Sequence, residues 1–275
     1  MLEEVRNQRF MKIVETNALT RRFGDLTAVD KVDLGVTEGE IFGLLGPNGA
    51  GKTTVIKMLT TLLPPTSGKA EVAGFDVERQ AARVRAAIGY VPQLISVDGT
   101  LTAYENLLIF AKLYGVPRAE RRARIGASLE FVGLEESAHR MVRGYSGGMM
   151  RRLEIALAML HRPQVLFLDE PTVGLDPLAR QIVWQRVQSL AQEFRMTVFL
   201  TTHLMEEADH LCDRVAIMNL GRIAALGRPE DLKASIGKAD ATLDEVFAHY
   251  TGHQLDNGGD FREISRTRRT IARRG

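Results

Sequence analysis

The sequence feature that most constrains the fold is a glycine-rich loop between an apolar run and a helical segment. It reads Gly46-Pro47-Asn48-Gly49-Ala50-Gly51-Lys52-Thr53-Thr54, which satisfies the pattern G-x-x-x-x-G-K-[ST] in full. The run from Glu40 to Leu45 predicts a buried strand before the loop, and a helix is predicted from Lys52 to Leu63. Such a loop turns its backbone N–H groups toward phosphate oxygens, beside the positive end of the helix. The pattern therefore predicts an α/β chain that binds a nucleotide.

Side chains in the loop and after a later strand predict phosphate chemistry. Lys52 is expected to reach the β- and γ-phosphates, and the Thr53 hydroxyl to bind Mg²⁺. Val165 to Leu168 is an apolar strand that ends in two carboxylates. Asp169 is predicted to hold Mg²⁺, usually through water, and Glu170 to polarise the attacking water. The alternative interpretation, an acid pair that caps a helix, loses weight because the phosphate loop is present.

Three further residues are candidates for contact with the nucleotide or with Mg²⁺ because of their positions in the chain. His203 follows the predicted strand Thr197–Leu200, so it is expected at the sheet edge where α/β sheets bind ligands, near the γ-phosphate. Gln93 follows the strand Ile88–Val91 and is a candidate to contact Mg²⁺ or its waters, although glutamines are common in loops. Phe23 is a candidate to stack on adenine, and the alternative is that it belongs only to the hydrophobic core.

A second glycine signature, Ser146-Gly147-Gly148, precedes another predicted helix. A serine hydroxyl and free N–H groups at a helix start form a second anion cradle. One chain does not need two cradles for one nucleotide. Two copies arranged head to tail use both, so that each nucleotide lies between the loop of one copy and the serine and glycines of the other.

The order of predicted elements indicates how the chain is organised. Residues 13–36 are predicted to form antiparallel strands joined by Gly24-Asp25. Helical spacing dominates from about 95 to 160, in segments 102–114, 118–132 and 147–161, and strands alternate with helices afterwards. The fold class predicted is α/β, with a mostly parallel, helix-covered core, an antiparallel β subdomain and an inserted helical subdomain. Residues 1–12 are predicted to be an extension. Residues 251–275 form a basic tail, interpreted as disordered or as an arm for anionic lipid.

Composition excludes several classes of protein. The formal charge of +2 is too small to indicate nucleic acid binding, and the lone cysteine, Cys212, excludes an internal disulfide framework. No apolar run approaches the roughly 18–20 residues that span a bilayer, and residues 1–10 lack the apolar segment of a signal peptide. Contact with a membrane is therefore expected to require a partner.

The ordered motifs together resemble those of an ABC ATPase, the nucleotide-binding subunit of ATP-binding-cassette transporters. The resemblance covers about residues 13–250. Its parts are Gly46–Thr54 (Walker A), Gln93 (Q-loop), Ser146–Met149 (signature), Val165–Glu170 (Walker B), Gly174-Leu175-Asp176 (D-loop) and His203 (switch histidine). The resemblance implies a P-loop NTPase core that binds ATP and Mg²⁺, with Asp176 also at the nucleotide.

Finer details are similar to the daunorubicin-resistance branch of drug exporter ATPases. They are Tyr145 to Met149 followed by Arg151-Arg152-Leu153, and the segment Thr242 to Phe247. In that branch the membrane domain is usually a separate polypeptide. Two positions depart from expectation, because Met149 stands where many relatives have glutamine and Met150 replaces a basic residue.

The resemblance implies a peripheral subunit on the cytoplasmic face of the membrane. It would pair with a second copy of itself and with a separate polytopic permease, and bind no nucleic acid. It would drive efflux of a drug-like or hydrophobic compound by hydrolysing ATP. The alternatives are a soluble ABC ATPase that acts on ribosomes or DNA and the ATPase of an importer. The sequence has no coiled-coil arms and no second cassette, which disfavours a role on DNA or ribosomes. It has no large extra β-domain after Ile236, which disfavours an importer.

Overall fold

The computed structural model describes residues 11–238 and 240–252. The strands are β1 Lys12–Phe23, β2 Leu26–Thr37, β3 Ile41–Leu45, β4 Ser67–Val72, β5 Phe75–Asp76, β6 Ile88–Val91, β7 Val165–Asp169, β8 Thr197–Thr202, β9 Arg214–Asn219 and β10 Arg222–Gly227. The helices are α1 Lys52–Leu59, α2 Ala81–Ala87, α3 Ala103–Leu113, α4 Arg118–Val132, α5 Gly147–Met159, α6 Pro177–Phe194, α7 Met205–Leu211, α8 Pro229–Ser235 and α9 Leu243–Thr251.

The strands form two sheets of different character. The larger has the order β10-β9-β3-β8-β7-β6 and is parallel except for the β9–β10 hairpin. The smaller, β2-β1-β4-β5, is antiparallel, and Gly24-Asp25 forms the turn between its first two strands. The predicted α/β class, with its parallel core, antiparallel β subdomain and helical insertion, is confirmed.

The central strands are buried on both faces, which is why they read as continuous apolar runs. Every residue of β3, β7 and β8 is buried. Successive side chains alternate between two hydrophobic clusters. Phe42, Phe167 and Phe199 pack on the side of α1 and the antiparallel sheet. Leu45 and Leu168 pack on the opposite side, with the apolar residues of α5 and α6.

The helical subdomain lies between β6 and β7 and contains α3, α4 and α5. Thr102 caps α3 through a reciprocal capping box with Glu105. The isolated bridge between Thr102 and Met141 closes the base of this insertion. The insertion shares the hydrophobic cluster of α5 with the parallel sheet.

Some predicted boundaries are wrong. Helix α1 ends at Leu59 and not at Leu63, because Thr61 adopts a positive φ of 64° and the N–H of Leu62 bonds back to Lys57 at 2.8 Å. The two Pro residues that follow cannot continue the helix. Strands β4, β5 and β10 and helices α2, α8 and α9 were not predicted as elements.

The predicted N-terminal extension and basic tail lie mostly outside the described residues. Lys12 begins β1, and Thr251 ends α9. Within the described ranges, none of the helices has the length and apolar character needed to cross a lipid bilayer.

Candidate functional site

The predicted site residues converge because four neighbouring parallel strands end at the same sheet edge. In the order β3-β8-β7-β6, Leu45 pairs with Thr202, Thr201 with Asp169, and Leu168 with Val91. Strand β3 continues into the phosphate loop, and β8 is followed by His203. Strand β7 is followed by Glu170, and β6 by the loop that carries Gln93. Open α/β sheets bind ligands at this edge.

The glycines of the phosphate loop let the backbone pass close to its neighbours. A Cβ on Gly46 would lie 2.2 Å from the carbonyl oxygen of Met218. Gly51, with φ of 113°, would bring a Cβ to 2.5 Å from the carbonyl oxygen of Ala28. Gly51 is also the N-cap of α1, and no side chain caps this helix start. The first N–H groups of α1 are therefore available to an anion.

The Lys52 side chain folds back over the loop and reaches a carboxylate. Its ammonium donates to the carbonyl oxygens of Gly46, at 2.7 Å, and of Pro47, at 3.2 Å. It also lies 3.1 Å from Oε1 of Glu170, and both side chains are only 4–5% exposed. The buried cation therefore sits between the loop and the end of β7.

Glu170 is the centre of the cluster. Its Oε2 accepts a hydrogen bond from Nε2 of Gln93 at 3.2 Å and lies 3.3 Å from Nδ1 of His203. Burial acts to raise the pKa of this carboxyl, but His203 and Lys52 more than offset it and lower the pKa. The backbone of Glu170 has a positive φ of 50°, which is held by hydrogen bonds from its N–H to Thr201. The result is an ionised carboxylate held in a fixed position.

Asp169 lies beside this cluster and contacts the hydroxyl groups of two threonines. Its Oδ1 accepts hydrogen bonds from the hydroxyl of Thr201 at 2.6 Å and from that of Thr53 at 3.1 Å. Burial raises the pKa of this carboxyl, against the opposing effect of the two hydroxyl hydrogen bonds.

The oxygen atoms of Thr53 and Asp169 fit Mg²⁺, which prefers such ligands and keeps several waters or phosphate oxygens. Among the described residues, no group of three or more His, Cys, Asp or Glu side chains could hold a metal by itself. Thr53 and Asp169 supply two oxygen ligands, and Mg²⁺ is usually bound by one or two carboxylates together with waters and phosphate oxygens. Gln93 is exposed beside Glu170, which it contacts through its amide nitrogen.

The second glycine signature begins α5. Ser146 is the N-cap, and its hydroxyl accepts the N–H of Met149 at 3.3 Å. Gly148 packs closely on α6, because a Cβ there would lie 2.7 Å from that of Ala179. Asp176 is the N-cap of α6 and accepts the N–H of Ala179. The signature and the D-loop are thus one packed unit.

Met149 and Met150 have a structural explanation. Both side chains are partly buried and pack against the hydrophobic cluster that α5 shares with the sheet. Methionine fills irregular space well because its side chain is flexible. The backbone of Ser146 to Gly148 does not depend on either side chain.

Some predicted residues are not joined to the Lys52–Glu170 cluster. Within residues 11–238 and 240–252, no hydrogen bond or ion pair links Phe23, Ser146, Gly147, Gly148 or Asp176 to it. Phe23 ends β1, is 45% exposed, and lies under the Arg21 guanidinium at 4.7 Å. In the loop, Asn48 and Gly49 are exposed, whereas Ala50 is buried and Thr54 is half-buried.

Sequence reasoning missed two buried residues around the site. Thr201 contacts both Asp169 and the backbone of Glu170. Glu207, 1% exposed, accepts hydrogen bonds from Thr172 at 2.6 Å and from the Trp184 indole at 3.0 Å. The signal for Thr201 was a pair of threonines at the end of an apolar strand. Glu207 carried no comparable signal.

Fold and site together define an ATPase core of the phosphate-loop class, with an inserted helical subdomain and a second glycine signature. The model of the ABC transporter family matches residues 29–173, and the chain belongs to this family. It is an ATP-binding subunit of the ABC transporter type.

Curated relatives are similar over most of the chain. The Nod factor export ATP-binding protein I of Ralstonia nicotianae is 44% identical over 80% of this chain and 68% of its own length. A daunorubicin resistance ATP-binding protein of Streptomyces coeruleorubidus is 44% identical over 85% of this chain and 74% of its own length. The predicted resemblance to the ABC ATPases is confirmed.

Solved structures share the fold. An ATP-binding subunit of an ABC transporter is 30% identical with a TM-score of 0.77, and the match covers 87% of this chain and 99% of that one. A dimeric ATP-binding cassette in a post-hydrolysis state, bound to ADP and Pi, is 28% identical with a TM-score of 0.69. That match covers 78% of this chain and 98% of the other.

Proposed function

We propose that this chain is the ATPase subunit of an exporter that moves a drug-like or hydrophobic compound through a separate membrane subunit. The ATPase activity in this proposal is carried by one observation. Lys52, Gln93 and His203 surround the carboxylate of Glu170, beside the phosphate loop. The relative named for Nod factor export supports the direction of transport, and the relative named for daunorubicin resistance supports a drug-like compound as cargo.

Each side chain has a distinct role in the proposed hydrolysis. Glu170, kept ionised, accepts the proton of the attacking water and orients it. Lys52 binds the phosphate oxygens, and His203 stabilises the charge that develops on them. Thr53 and Asp169 would hold Mg²⁺, with Gln93 beside them. When bound, Mg²⁺ would neutralise phosphate charge.

The functional unit proposed is a head-to-tail pair of copies. The Ser146 N-cap and the N–H groups of Gly147 and Gly148 lack a link to the Lys52–Glu170 cluster among the described residues. They would instead meet the γ-phosphate held by the other copy, and Asp176 lies beside them on α6. Loss of the γ-phosphate removes these contacts and lets the pair open. The solved relative that is dimeric in a post-hydrolysis state supports the pairing of two copies.

The membrane partner can be identified directly. We expect a tagged chain, expressed in its native host and purified from detergent-solubilised membranes, to retain a polytopic membrane protein in near-equal amount. Mass spectrometry of the eluate measures this, with an untagged strain as control. Recovery of ribosomal or DNA-associated proteins only, with the chain absent from membranes, would contradict the transport role.

A further inference from the structure

A buried ion pair outside the nucleotide site links α5 to the loop that carries Gln93. The Arg151 guanidinium donates to the carbonyl oxygens of Pro92, at 2.7 Å, and of Gln93, at 2.8 Å. It also lies 2.9 Å from Oε2 of Glu154, one turn along the helix. Glu154 in turn accepts hydrogen bonds from the backbone N–H of Ser96, at 2.6 Å, and from its hydroxyl, at 3.0 Å.

The pair holds the loop on both sides of its exposed segment. Arg151 binds the backbone at residues 92–93, and Glu154 binds it at Ser96. Between these points Leu94 is 81% exposed. Arg151 and Glu154 are themselves only 3% exposed, so their hydrogen bonds are shielded from water. The planar guanidinium presents a rigid fork of donors to the two carbonyl oxygens, whereas the ammonium of a lysine sits on a flexible stem and does not fix this geometry.

Stability alone does not account for such a pair. Burying two charges carries a desolvation penalty, and apolar residues of similar volume often serve the fold as well or better. The ion pair also fixes the geometry of the loop, because each of its hydrogen bonds holds one backbone group of the loop in place relative to the helix.

The pair therefore connects two functional positions. Gln93 contacts the Glu170 carboxylate through its side chain, while Arg151 holds its backbone. Ser146 caps the start of the helix that bears Arg151 and Glu154. We propose that Arg151 and Glu154 are positioning residues that make the Gln93 loop and the signature helix move as one unit when nucleotide binds. This inference rests on the proposed function, in which Gln93 and Ser146 serve the nucleotide sites of a pair of copies.

The test removes the link without leaving a lone buried charge. In the double variant Arg151→Met/Glu154→Leu, both partners become apolar residues of comparable size. We expect kcat for ATP hydrolysis to fall about tenfold, while the Kd of a fluorescent ATP analogue changes less than about twofold. Arg151→Lys, which keeps the charge, is expected to fall between the double variant and the wild type.

Arg152 supplies the matched control. Arg152 is next to Arg151 on α5. Its guanidinium, however, donates to the carbonyl oxygens of Val132 and Gly133, away from the Gln93 loop. Arg152→Met is therefore expected to retain the wild-type kcat. A loss in Arg152→Met equal to that in the double variant would show a general effect of perturbing α5 and would overturn the proposal.

Hydrogen exchange provides a readout that a purely structural role would not change. With a non-hydrolysable ATP analogue, at a protein concentration at which light scattering shows single copies only, we expect peptides covering 92–97 and 146–151 to gain protection together in the wild type. In the double variant only 92–97 should respond, since Gln93 still faces Glu170. A joint response in the double variant, or a wild-type kcat, would overturn the proposal.

Failure of this inference is distinguishable from failure of the proposed function. Ser146→Arg blocks the signature but leaves the ion pair intact. If Ser146→Arg is inactive and the double variant hydrolyses ATP at the wild-type rate, the inference fails and the paired-copy mechanism stands. If Ser146→Arg hydrolyses ATP normally, the mechanism fails, and the inference with it.

Discussion

Glu170→Gln is expected to bind ATP, to stop turning it over and to accumulate as a dimer. The carboxylate is held between Lys52 and His203, which keep its pKa low and the group ready to accept a proton. Glutamine has nearly the same shape but cannot accept that proton. Loss of general-base catalysis typically lowers rates by about 10²- to 10⁴-fold. Phosphate release measures kcat, and light scattering after gel filtration with ATP measures the dimer.

An acidic residue outside the site controls for the loss of charge. Glu120 lies on α4 and pairs with Arg124 at 2.6 Å on the surface. Glu120→Gln is expected to hydrolyse ATP at the wild-type rate and to form no stable dimer. Wild-type hydrolysis by Glu170→Gln would show that the base has been assigned to the wrong residue.

Lys52→Ala is expected to lose nucleotide affinity, because the Lys52 ammonium is proposed to bind the phosphate oxygens of ATP. It neutralises Glu170 at 3.1 Å, and its hydrogen bonds to Gly46 and Pro47 hold it over the loop. Hydrogen bonds to charged groups contribute about 1.5–3 kcal/mol each. The Kd for a fluorescent ATP analogue should therefore rise by about 10- to 100-fold, as measured by titration.

Lys57 offers a matched control on the same helix. It lies in the last turn of α1 and is exposed. Lys57→Ala removes the same functional group from α1, and its Kd is expected to stay at the wild-type value. Equal Kd values for Lys52→Ala and the wild type would remove Lys52 from the binding site.

The sheet edge was predictable because each key residue directly follows an apolar strand. Asp169 ends one apolar run, and Glu170 and His203 follow such runs. Apolar runs of this length are typical of parallel strands buried on both faces, and parallel strands end together. The phosphate loop follows a third such strand. Local sequence therefore carried the information needed to place these residues.

Short and polar elements were harder to predict. Strand β4 reads SGKAEV and β10 reads RIAALG, and both lack a long apolar run. Helix α9 did carry a signal, since Thr242 and Glu245 form a capping box, but the segment was interpreted only as a family feature.

Contacts between distant parts of the chain could not be predicted from local patterns. Glu207 binds Thr172 and Trp184, and Arg151 binds Gln93, only because helices pack beside those loops. A buried charge has no fixed sequence spacing from a partner in another element, so its role there appears only in the folded chain.

The central claim is that each ATP is hydrolysed between Lys52 of one copy and Ser146 of another. Mixing the variants Lys52→Ala and Ser146→Arg, at an ATP concentration too low for Lys52→Ala to bind nucleotide, tests this most directly. A mixed pair contains one site with both residues intact, so hydrolysis should return to roughly a quarter of the wild-type rate. If each variant alone is inactive and their mixture remains inactive while forming pairs, the site is not shared between copies, and the account is contradicted.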